Sequence, residues 1–149
     1  MRRTVYSVCA VLLVVVGLGS NSTKDYDDRT ELNNIQGGWR LTKLESNGKE
    51  FHLGSIQNSV RIYRSGACTD RSGIGDRFIG HYRVDPSRKP AHLDMILSFG
   101  PRKGETLKCI YQIDGDTLRT AFMEGGNDMR RPQGFNDKDI VVYTYKRVK

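Results

Sequence analysis

The chain is short of what most catalytic, metal-binding or nucleic-acid-binding proteins need. It has three histidines, three cysteines, four prolines and one tryptophan in 149 residues. His52, His81 and His92 fall in separate elements, and none has a cysteine or second histidine at ligand spacing, so no metal site is predicted. Neither H-E-x-x-H nor G-x-S-x-G occurs, and the cysteines lack a convincing histidine partner for a thiol nucleophile. The sequence therefore predicts no catalytic residues, no cofactor and no enzyme. Lys and Arg outnumber Asp and Glu 24 to 17, but Arg61, Arg64, Arg71, Arg77, Arg83, Arg88 and Lys89 are scattered among strands and turns. Without a dense basic run interleaved with aromatics, nucleic acid is not an expected partner; a solvated strand face accounts for these charges.

What is present begins with a three-part leader. Arg2 and Arg3 precede a mostly apolar stretch over residues 5–18, and small residues follow at Gly17, Gly19, Ser20 and Ser22. This is the pattern of an export signal, and it is too short for a comfortable span of about 20 residues. Residues 1–22 are predicted to be a signal peptide, 23–34 a flexible lead ending in a short helical turn, and 35–149 one domain. The expected location is periplasmic or extracellular, with membrane contact only through an uncleaved signal. The mature chain has about 127 residues, enough for its own core, and is expected to be monomeric. Cys68 and Cys109 are then its two cysteines, and an oxidising compartment permits a bridge between them. Against it, Cys68 reads as part of a glycine-rich loop and Cys109 as mid-strand; Cys109 as a small buried apolar residue is the plainer account.

From residue 39 the hydrophobic period is two. Strands are predicted over 39–46, 59–64, 77–85, 91–99, 106–113, 117–123 and 140–148, broken by Asn47-Gly48, Asp85-Pro86, Gly100-Pro101 and Asp114-Gly115-Asp116. Residues 65–76 and 124–139 are expected to be loops. The first of these does not fit a calcium-binding register, and its lone Gly73-Ile74-Gly75 precedes no helix. Glu105, Asp114 and Asp116 could be paired carboxylates, but Asp114 and Asp116 read as turn formers and no catalytic pair is expected. Strands with one apolar and one charged face, joined by tight turns, pair antiparallel and curl closed. The fold class is all-β, an antiparallel up-and-down barrel of about 7–8 strands, with an open sandwich as the second choice. Val60, Ile62, Phe78, Tyr82, Leu93, Met95, Leu97, Tyr111 and Phe122 are the inward candidates. Such side chains either fill the middle or line a pocket for a small hydrophobic ligand.

Two resemblances carry the prediction further. Gly37-Gly38-Trp39, after a short helical turn and at the start of strand one, resembles the G-x-W signature of lipocalin-like (calycin) barrels. That likeness implies that Trp39 packs across one barrel end under a basic residue from the last strand, Arg147 or Lys146. More broadly, "IQGGWRLTKLESNGK", "GHYRVDPSRKPAHLDM", "GETLKCIYQIDGDTLR" and the final "YKRV" are similar to the planctomycete paralogous domain family of uncharacterised exported bacterial proteins. The chain departs from it at Cys109, where that family usually has Gly, and at Thr120-Ala121, where a Cys is common. The resemblance implies an exported lipocalin-like fold and carries no activity with it. A binding barrel, or an interaction or inhibitor module of the cell envelope acting through the 124–139 loop, are the two functions it leaves.

Overall fold

In the computed structural model of the chain, residues 34–72, 75–125 and 130–149 are described. The signal-like segment lies outside them, as does most of the predicted helical turn, of which Asn34 and Ile35 are helical. Among the described residues nine strands form one sheet: β1 (Gly37–Ser46), β2 (Lys49–Glu50), β3 (Val60–Arg64), β4 (Ala67–Ser72), β5 (Gly75–Asp85), β6 (Ala91–Leu97), β7 (Thr106–Asp114), β8 (Thr117–Met123) and β9 (Ile140–Arg147). Every neighbour is antiparallel, and β1 also pairs with β9 from Trp39↔Arg147 to Ser46↔Val141. That last pairing closes an eight-stranded barrel, with β2 as a short flap on β1. The predicted all-β up-and-down barrel is what the chain forms, and closure leaves the long strands no free edge.

The two glycines before Trp39 have separate jobs. Gly37 takes φ +112°, which L side chains rarely adopt. A Cβ on Gly38 would sit 3.4 Å from Val60 Cγ1 and 3.5 Å from Val148 Cβ, tight against the outer wall. The chain can thus swing out of the helical residues and set Trp39, with no exposed surface, inside the barrel end. The Asn47-Gly48 turn is the predicted hairpin, with positive φ at both positions.

Three expectations are corrected. The glycine- and aspartate-rich segment read as a loop contains β4, because its charges pair across strands: Arg61 with Asp70 and Arg71 with Asp76. The face of β3 is inverted. Trp39 points inward and stands opposite Arg61, so Arg61 and Tyr63 point inward too; Val60 and Ile62 are half-buried on the outer side. Phe78 is likewise outside, 44% exposed. The register shifts as β5 passes Cys68 and Thr69, and Ile79 is the extra residue of a bulge, so Ile79 and Tyr82 face in while Phe78 faces out. Gly80 lies in this bulge because a Cβ there would fall 1.8 Å from the Ile96 carbonyl oxygen.

Two hydrophobic cores result. The inner one gathers Ile35, Trp39, Leu41, Tyr63, Cys68, Ile79, Tyr82, Leu93, Met95, Cys109, Tyr111, Leu118 and Tyr145. The outer one, absent from the sequence reading, packs Ile110, Ala121, Ile140 and Val142 against Met123 and Phe135. Its cover is the segment 130–139, which lies over the outside of β6 to β9 as a strap.

Candidate functional site

Of the nine residues predicted to face inward, Tyr82, Leu93, Met95 and Tyr111 are buried in the inner core, and Leu97 and Phe122 are half-buried against it. Val60, Ile62 and Phe78 do not join them, for the register reasons above. The middle of the barrel is also occupied by a polar group that the sequence reading put outside. The Arg61 guanidinium makes a two-point ion pair with Asp70, Nε to Oδ1 at 2.7 Å and Nη2 to Oδ2 at 2.8 Å. It lies 5.8 Å from the Tyr143 ring centre and 5.6 Å from that of Tyr145. Tyr63 and Tyr82 meet edge to face at 4.9 Å. The hydroxyls of Tyr63 and Tyr145 are buried without a hydrogen-bond partner, and burial pushes both phenols well above the ordinary tyrosine range. This is an interior of aromatic rings around one cation, with Tyr63, Leu93 and Leu118 fully buried and Leu97, Phe122 and Tyr143 half-buried against it.

The Trp39 end is closed as the signature implies, and Arg147 is the basic residue concerned. Its guanidinium stands 4.0 Å above the Trp39 ring and donates to the carbonyls of Gln36 (3.0 Å) and Asn34 (2.7 Å). Lys146 points elsewhere and donates to Thr117 Oγ1. Trp39 Nε1–H donates to the Ile35 carbonyl at 2.7 Å. Gly37, Trp39 and Arg147 thus form a structural closure in which the Trp39 indole and the Arg147 guanidinium are both hydrogen-bonded to backbone carbonyls.

Cys68 and Cys109 are both free, which corrects the candidate disulfide. Cys68 is on β4 and Cys109 on β7, with β5 and β6 between them in the sheet. Burial pushes both thiols up to about 12, so at neutral pH they are protonated and poor nucleophiles. The histidines do not converge either: His81 stands opposite Ile96, and His92 opposite Asp85. Among the described residues no three His, Cys, Asp or Glu side chains are placed to hold a metal ion, and no helix is long and apolar enough to cross a membrane.

The open space lies beside the barrel wall, where the strap meets it. Pro132 is fully buried. Arg131 reaches over β6 and β7 and donates to the carbonyls of Leu93 and Cys109 and to the Asp94 carboxylate. Gln133 N–H donates to Asp137 at 2.6 Å, Asp139 N–H donates to Asn47 at 2.6 Å, and Arg119 stacks 4.4 Å over Phe135. Two clefts flank Phe135. One, of about 400 Å³, is lined by Pro86, Arg88, Lys89, Pro90, Ala91, Tyr111, Gln112, Ile113 and Phe135. The other, of about 380 Å³, runs from Glu45 and Asn47 past Arg119 to Lys138 and is the more polar of the two. The sequence reading missed both, since each needs a loop residue brought against a distant strand.

Comparison of the chain with known proteins finds no matching family model, no matching curated protein and no matching solved structure.

Proposed function

We propose that the protein is a non-catalytic, exported binding barrel that takes a small hydrophobic ligand in the 400 Å³ cleft between the β5–β6 turn, the end of β7 and the strap. The observation that carries this reading is the cleft itself. Its volume is within the range of small-molecule sites, roughly 300–1,000 Å³, and Pro86, Pro90 and Phe135 give it apolar side chains. The ligand is placed there and not inside the barrel because the Arg61–Asp70 pair and the fully buried Tyr63, Leu93 and Leu118 take up interior space. Export rests on the leader-like residues 1–22, and the likeness to the planctomycete exported family agrees with it. The protonated thiols and the dispersed histidines support a non-catalytic role.

The alternative, an interaction or inhibitor module working through residues 124–139, has less support. From Arg131 to Asp139 the segment is anchored to the wall, and Pro132 and Phe135 serve the outer core. An inserting loop would have to give up those contacts.

The test uses N-phenyl-1-naphthylamine, a neutral fluorescent probe with an apolar body. Saturable binding at one site per chain is expected, and Gln112→Trp, an exposed residue of the cleft, should abolish it with the unfolding midpoint unchanged. Absence of saturable binding, or equal affinity in Gln112→Trp, overturns the proposal.

A further inference from the structure

Resting on that reading, we propose that the ligand is an organic monocarboxylate with an apolar body, and that Lys89 holds its carboxylate at the rim of the 400 Å³ cleft. The argument is one of charge complementarity. Among the described residues two cations line this cleft, Arg88 and Lys89, and no carboxylate does. Arg88 is already engaged, with Nε 3.1 Å from Asp85 Oδ2. Asp85 is held below the ordinary carboxylate range by Ser87, which donates from both its hydroxyl and its backbone N–H, and by Arg88. It is therefore charged at neutral pH and committed to its own turn. Lys89, next in the chain, forms no ion pair among the described residues and is exposed.

Pro86, Pro90 and Phe135 supply the apolar side chains of the cleft wall; the Tyr111 side chain belongs to the inner core, Ile113 packs against it, and on this stretch of β7 Gln112 is the outward side chain. A molecule with a hydrocarbon or aromatic body and one terminal anion would bury the first against this wall and leave the second at Lys89. The surroundings lean the same way. His92, opposite Asp85 on β6, is kept below its ordinary pKa first by burial and then by Arg131, with Arg88 adding to it against Asp85 and Asp94. A neutral ligand of the same shape gains only the wall. The second cleft, by contrast, balances Arg119 and Lys138 with Glu45 and Asp137 and has no such excess of positive charge.

The experiment compares decanoate with decan-1-ol as competitors of N-phenyl-1-naphthylamine on the wild-type protein and on Lys89→Gln. Decanoate should displace the probe at about fivefold lower concentration than the alcohol, near the upper end for a solvent-facing ion pair. Lys89→Gln should erase that preference and leave the alcohol's affinity as it was, and raising the salt from 0.05 to 0.5 M should shrink the preference in the wild type. Equal displacement by acid and alcohol overturns the carboxylate inference while the binding barrel stands. A preference that survives in Lys89→Gln overturns the role of Lys89. Failure of the probe itself to bind removes the binding reading and this inference with it.

Discussion

Removing Asp70 should be one of the more damaging single changes outside the apolar core, and the structure lets its size be worked out. The Arg61 side chain is 16% exposed and that of Asp70 30%, and they meet through two parallel hydrogen bonds of 2.7 and 2.8 Å. Breaking a fully buried pair by deleting one partner costs about 3–5 kcal/mol, because the other charge is left in a medium that cannot solvate it. Water reaches Asp70, so the cost of Asp70→Ala is nearer 2–3 kcal/mol. The rings of Tyr143 and Tyr145 still hold the cation, each worth about 0.5–1 kcal/mol, but neither replaces a counter-ion. Arg61→Met should be milder, about 1–2 kcal/mol, since a half-exposed carboxylate keeps its water and the methionine fills part of the space. The double variant Arg61→Met/Asp70→Ala leaves no orphaned charge and should come within about 1 kcal/mol of the wild type. The coupling energy is then about 3 kcal/mol. Urea unfolding followed by the emission of Trp39, the chain's one tryptophan, measures all four proteins. An Asp70→Ala midpoint indistinguishable from wild type, or a double variant worse than the sum of the singles, would refute the claim that the pair is a buried compensated charge.

Three more perturbations test the frame. Trp39→Ala removes a ring with no exposed surface and the stacking partner of Arg147, and should cost about 3–5 kcal/mol by far-UV circular dichroism in urea while leaving probe binding intact; lost binding with unchanged stability would make Trp39 a site residue. Gly80→Ala would press a methyl into the Ile96 carbonyl, and should lower the melting temperature by many degrees or prevent folding, whereas Gly115→Ala, whose Cβ meets nothing, should lower it by far less. His92 has its folded pKa depressed by burial and by Arg131, so the unfolded chain takes up a proton first as the pH drops. Stability should therefore fall below about pH 6.5 and level off once the pH passes the lower folded value; a His92→Asn variant should show a flatter urea midpoint between pH 7.5 and 5, and an unchanged slope would count against that burial.

The legible parts of the fold are those where one residue type has one physical use. Asn47-Gly48 and Asp114-Gly115-Asp116 gave their turns, and Gly37-Gly38-Trp39 with Arg147 gave the plug, because positive φ, close approach and a stacked guanidinium restrict the choice of residue. Register was illegible wherever pairing overruled local pattern. Val60 and Ile62 alternate as a buried face should, yet β3 takes its orientation from β1, and the residue opposite Trp39 is Arg61. The single extra residue Ile79 then turned Phe78 outward. Neither event leaves a mark within its own strand, and β4 itself was hidden because charges that pair across strands have the composition of a loop.

The strap and its cleft could have been anticipated from a signal that period-two reading discards. Cys109-Ile110-Tyr111, Ala121-Phe122-Met123 and Ile140-Val141-Val142 are apolar on both faces, where a strand between core and water alternates. One closed barrel has a single inside, so the outward members of these runs, Ile110, Ala121, Ile140 and Val142, require a second cover. The chain between β8 and β9 can supply it without crossing the barrel, and it contains the apolar Pro132 and Phe135. A cover laid by a loop does not interdigitate as a sheet does, and it leaves gaps where its backbone turns away. The 400 Å³ cleft is one such gap, bounded by Phe135 on one side and by the proline-edged β5–β6 turn on the other. Within the barrel, Arg61, Tyr63 and Tyr145 take up volume that smaller inward side chains would leave open.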